Sequence, residues 1–162
     1  MKRFLFSLAI GVVATTAAFA DTLPDQVRAE ASRLLKQVDG AKSAASARPA
    51  LKPQPLEPAL VGELQRFGML ASRLSIEIDK SGGPVDLRCI FRGMAEETDN
   101  QLKAAAAAET GTQQAVALDR LAHMLKDAVE IAPAVGGTAA QTKTAAGSKP
   151  TAECPAVRNA FH

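Results

Sequence analysis

Between Pro58 and Lys80, apolar residues recur at Leu60, Leu64, Phe67, Ala71, Leu74 and Ile78, with spacings of four, three, four, three and four. That rhythm keeps one narrow side of an α-helix apolar, whereas a strand would need a period of two. It is a heptad seam, the strongest periodic signal in the chain, and it can be buried only against other helices. The segment therefore predicts a helix over about 58–80 and, with it, a helical bundle.

Three further segments read the same way. Pro24 to about Ala45 carries Val27, Ala31, Leu34, Leu35 and Val38 on one side, with proline placed early, where helices tolerate it. Its second half, "DGAKSAASARPA", is expected to fray after Val38 because Gly40 and a Ser/Ala mixture favour helix weakly. "SGGP", Ser81 to Pro84, ends the second helix and starts a third, about 84–109, presenting Leu87, Ile90, Phe91, Met94, Thr98, Leu102 and Ala105. After "ETGT", a fourth helix is expected over about 112–132, with Leu118, Leu121, Leu125, Ala128 and Ala132 on a seam widened by Val116, Met124 and Val129. Short connections force antiparallel neighbours.

Between the first two helices, "RPALKPQPLEP" contains four prolines and precludes regular helix. It reads as a linker, or as a strap laid across the helices and docked by Leu51 and Leu56. From Pro133 onward the chain is rich in Ala, Gly, Thr and Lys, with almost nothing large to bury, and reads as a flexible tail. The expected organisation is 1–20 leader, 21–46 first helix, 47–58 Pro-rich linker, 59–132 bundle core and 133–162 low-complexity tail. The expected fold is all-α: a small antiparallel bundle of three to four helices, the first docking as the fourth member.

The leader reading rests on Lys2 and Arg3, an apolar run from Phe4 to about Phe19, and the small-x-small end Ala18-Phe19-Ala20, which together match a secretory signal cleaved after Ala20. The run is short for a bilayer span of about 20 residues, and no basic stop-transfer flank follows. The expected location is the bacterial periplasm or the medium. Cleavage removes two of 19 basic residues and leaves 17 against 17 acidic ones. A neutral chain lacks the basic surplus of a nucleic-acid binder, and one without Trp or Tyr lacks stacking platforms for single strands or sugars. Neutrality also supplies no general attraction to anionic lipid, so no membrane insertion is expected once the leader is gone.

Two cysteines in an exported chain predict one disulfide, Cys89 to Cys154. That pairing competes with a soft-metal reading, because "VDLRCIFRGMAEE" and "AHMLK" place Cys89, Met94, His123 and Met124 among ligands suited to copper(I). Spacing opposes it: residues five apart on a helix point about 140° apart and adjacent ones about 100° apart, so neither Cys89 with Met94 nor His123 with Met124 is a natural chelate. No metal or other cofactor is expected. No nucleophile elbow, "HExxH", paired-Cys pattern or phosphate loop is present, and His123 is expected to form surface pairs with Asp119 or Asp127.

Arg88 and Arg92 make a ladder on the third helix, and Arg66 and Arg73 repeat a heptad apart on the second. They are candidate contacts for an anion or a partner, since guanidinium groups suit bidentate ligands, but Glu63, Glu77, Glu96 and Asp99 are placed to neutralise them. "KAAAAAET", Lys103 to Thr110, offers a smooth small-residue surface for tight packing or a partner helix. The function expected from these features is non-enzymatic: an exported bundle that binds a protein partner, a second copy or a small ligand through its helical surface. The alternative is a soft-metal or anion carrier.

Overall fold

The computed structural model describes residues 22–138 and Cys154; the leader, the segment 139–153 and the segment 155–162 lie outside the described residues. Among the described residues there are four α-helices and no strand: α1 Leu23–Ser46, α2 Pro58–Lys80, α3 Val85–Ala107 and α4 Gly111–Thr138. They pack antiparallel in a ring. Packing is most extensive between α1 and α4, then between α2 and α3, α3 and α4, and α1 and α2.

One register runs through all four helices. In α2 every residue of the predicted seam is buried. The same four-three alternation continues in α1 through Val27, Ala31, Leu34, Val38, Ala41 and Ala45, and in α4 through Gln114, Leu118, Leu121, Leu125, Ala128 and Ala132. In α3 it runs through Leu87, Phe91, Met94, Thr98, Gln101 and Ala105. Four such stripes facing a common axis make one core, with Phe67 and Phe91 its largest fully enclosed side chains.

The second half of α1 does not fray. It is helical to Ser46, with Ala45 buried and Ala41 packed on the core, because small side chains there let α1 approach α4 closely. Likewise, α4 does not stop at Ala132 but continues through Pro133 to Thr138. The proline forfeits one helical hydrogen bond, yet Ile131 and Val135 on either side pack on the core and hold the turn in place. Val116, expected to widen the α4 seam, is exposed. α3 ends at Ala107, two residues before the expected Glu109, because Ala108 turns extended.

Local chemistry accounts for the ends. Thr22 caps α1, its Oγ1 accepting from the Asp25 N–H at 3.4 Å. At the end of α2, Gly82 takes φ of 69°, and the Gly83 and Gly82 N–H groups return to the carbonyls of Ile78 and Asp79 at 2.8 and 3.1 Å. This is a Schellman closure, which needs a left-handed residue that glycine supplies without strain.

Cys89 and Cys154 are joined as a disulfide, with Cα atoms 5.3 Å apart. Cys89 lies in the second turn of α3, so Cys154 is fixed at the end of the bundle that also holds Leu23 and the α2–α3 turn.

Candidate functional site

The opposite end is built around the Pro-rich segment 47–57. A strap with three prolines lacks three N–H donors but keeps a full set of carbonyls, and here they serve the start of α4. The N–H of Gly111 donates to the Leu51 carbonyl at 2.9 Å, and that of Thr112 to the Pro49 carbonyl at 3.1 Å. The next N–H, of Gln113, donates to Thr110 Oγ1 at 3.3 Å, while Gln113 Oε1 accepts from the Thr110 N–H at 3.3 Å, forming a reciprocal capping box. All four N–H groups that a helix start leaves without an intrahelical acceptor are thereby satisfied, two of them by a segment distant in sequence.

A third link completes the attachment. Gln114, almost fully buried, donates from Nε2 to the Gln54 carbonyl at 2.9 Å. The strap is therefore held mainly by its backbone. Leu51, expected as a docking side chain, is 61% exposed and contributes its carbonyl; Leu56 does pack on the core.

A strap pinned this way leaves space on both sides. A cleft of about 630 Å³ lies toward α1, walled by Ala41, Ala44, Ala45, Ala59 and Leu60, with Arg48, Lys52 and Glu57 bringing charge to it. A second, of about 310 Å³, lies toward α3, walled by Val61, Leu102, Ala105 and Ala106. Pro53, Pro55, Leu56 and Gln114 line both. Small apolar walls with a few polar groups, at roughly 300–1,000 Å³, are the usual make-up of a ligand site.

The arginine rows do not converge on an anion site of their own. Arg66 lies 3.8 Å from Glu63, Arg88 lies 2.5 Å from Asp79, and Arg92 donates from Nε to Glu96 at 3.0 Å. Arg73 stands on the outer side of α2 beside Ile76, Glu77 and Lys80. Three of the four thus already face a carboxylate, with Asp79 in place of the expected Glu77 or Asp99.

The soft ligands are dispersed. Cys89 is oxidised, Met94 and Met124 are enclosed in the core, and His123 is exposed on α4. Thr98, also buried, donates to the Met94 carbonyl at 2.8 Å and approaches the Met124 sulfur at 3.6 Å. His123 Nδ1 lies 2.9 Å from the Asp119 carbonyl and 3.5 Å from its carboxylate, the expected surface pair. Among the described residues no three His, Cys, Asp or Glu side chains gather to hold a metal ion, and no helix is long and apolar enough to cross a membrane. In "KAAAAAET", Ala105 enters the core, and Ala106 and Ala108 help to wall the smaller cleft.

Charged contacts elsewhere secure the sides. Arg33 on α1 reaches Glu30 at 2.6 Å and Glu63 on α2 at 2.8 Å, and Gln37 joins Glu63 at 3.0 Å. Arg33, then Gln37, holds the Glu63 carboxyl below its usual range. Lys42 bridges Asp39 and Asp119 of α4, which together raise its ammonium above its usual value.

The residues of this candidate site that sequence reasoning missed are Gly111, Gln114, Arg48 and Lys52. Gln114 had a signal, since it lies four before Leu118 and extends the α4 seam by one turn. Comparison with known proteins finds no family model, curated protein or solved structure that matches the chain.

Proposed function

We propose that this is an exported, non-enzymatic binding protein that takes a protein partner or small ligand at the strap end of its helical surface. The observation that carries the reading is the pair of clefts flanking a strap whose backbone is fastened at Pro49, Leu51 and Gln54. Fastening by the main chain sets the clefts in advance, so a ligand need not organise the strap on arrival. The leader pattern of residues 1–20 supports export, and a Cys89–Cys154 disulfide suits an oxidising compartment. The soft-metal alternative has lost its thiolate, and the anion alternative has three of its four arginines engaged by acids.

The test is a photo-reactive side chain at Ala44, which is exposed and lines the larger cleft, with Arg28 near the other end of α1 as the control position. Irradiation in the native periplasm should give an adduct from Ala44 and not from Arg28, and Gln114→Ala, which removes one of the three attachments of the strap, should reduce it. Recovery of the bare chain from both positions, with no self-association, removes the reading.

A further inference from the structure

α2 carries a second stripe, back to back with its core seam. At about 100° per residue, Arg66, Met69, Arg73, Ile76 and Lys80 fall within about 80° of one another, on the side of the helix facing away from Leu60, Leu64, Phe67, Ala71, Leu74 and Ile78. The stripe has its own heptad spacing. The three cations repeat every seven residues, and so do the two apolar residues between them. Met69 and Ile76 are large side chains left 60% and 51% exposed, and Arg66 is similarly open. A shallow depression of about 360 Å³ at the stripe's end is lined by Arg73, Ile76, Glu77 and Lys80, with Leu23 of α1 as its far wall.

Neighbouring acids compensate this charge only in part. Glu63 is turned toward Arg33 and Gln37 and reaches Arg66 only at 3.8 Å, and Asp79 faces Arg88 of α3. Arg92 and Glu96, on the adjoining side of α3, pair with each other. Glu77 borders the stripe and offsets one of its three cations.

We infer that the outer face of α2 docks an acidic amphipathic helix of another protein, with apolar residues one heptad apart seated on Met69 and Ile76 and carboxylates set against Arg66, Arg73 and Lys80. The width of the stripe selects this occupant. An interfacial membrane helix uses a broad apolar face, whereas a narrow seam of alternating charge and apolar residues matches one facing helix. A second copy is disfavoured because no described helix of this chain exposes a matching acidic and apolar stripe: the other exposed large apolar residues are Leu51 in the strap, Val85 at the start of α3 and Val116 on α4. The chain's own segment 139–162 carries Lys143, Lys149 and Arg158 against the single acid Glu153, the wrong sign for this face. The surface is separate from the strap-end clefts and stands or falls without them.

The experiment titrates the disulfide-bonded full mature chain with an alanine-based helical peptide of about 21 residues, carrying Leu every seventh position and Glu three positions before each. The same peptide with Lys for Glu, and phosphatidylglycerol-containing vesicles, are run beside it. The Glu peptide should bind saturably and weaken as salt rises. Arg66→Glu/Arg73→Glu/Lys80→Glu should lose at least tenfold in affinity for it and gain affinity for the Lys peptide, and Met69→Ser/Ile76→Ser should lose both. All five side chains are off the core, so the melting temperature reports that each variant folds. Gln114→Ala should bind the Glu peptide unchanged, which separates this surface from the strap-end clefts. The inference is overturned by equal binding of both peptides, by affinity indifferent to the charge reversal, by absence of saturation, by preference for vesicles, or by self-association through this face.

Discussion

Gly111 lies directly beneath the turn that ends α1, and a Cβ placed on it would sit 2.5 Å from the Ala45 carbonyl oxygen and nearer still to that of Arg48. Both obstacles are backbone, so neither can rotate away. The absence of a side chain here is what lets the strap carbonyls reach the start of α4.

Gly111→Ala should therefore cost about 3 kcal/mol, at the upper end of overpacking, because the strap or α4 must shift. Gly40→Ala should have the opposite sign. Gly40 is exposed within α1 with nothing within 4 Å of a new Cβ, so alanine should add about 0.5–1 kcal/mol through helix propensity. Urea midpoints of the two variants measure the contrast.

Gln114→Ala should lower stability by about 1 kcal/mol through loss of its hydrogen bond to the Gln54 carbonyl. The more telling readout is local: amide exchange at Gly111 and Thr112 should quicken as the strap loosens, while exchange in the α2 seam stays slow. Equal protection at Gly111 in both proteins would show that the strap holds without Gln114.

Reduction of the disulfide removes a crosslink between residues 65 apart in sequence. In the chain-entropy account a loop of that length is worth about 4 kcal/mol, expressed through the unfolded chain. Cys89→Ser/Cys154→Ser should thus lower the urea midpoint and leave the helical circular-dichroism spectrum of the folded protein nearly unchanged.

Acid should weaken the α1–α2 contact. The folded-state pKa of Glu63 is depressed, by Arg33 first and then Gln37, so its contribution is present above the unfolded carboxyl range near 4.5 and is lost as pH falls through the lower folded value. Glu63→Gln should flatten that part of the stability-against-pH curve below about pH 4.5. Because the pair is solvated, added salt should shrink the difference between the two proteins.

The bundle was legible wherever large side chains kept the period. Leu60 to Ile78 announced α2 to the residue, since six apolar positions in strict alternation leave no other reading. The second half of α1 was obscured because its seam positions, Ala41 and Ala45, are small and surrounded by Gly and Ser; intrinsic propensity argued against a helix that contact with α4 sustains. Pro133 misled for the same reason, as a local breaker overridden by burial of its neighbours. The Cys89–Cys154 pairing followed from counting, whereas the strap-end clefts did not. They depend on which carbonyls of a proline-rich segment meet which N–H groups, and no side-chain pattern records that. The outer stripe of α2 was half visible: Arg66 and Arg73 were singled out, but Met69, Ile76 and Lys80 join them only once the core side of the helix is known.

Tying Cys154 to Cys89 places it on the same pole of the molecule as Leu23. The Pro-rich pole is left facing away from them. A surface that gripped the molecule at that pole would therefore leave the cleft-bearing pole turned toward the surrounding fluid.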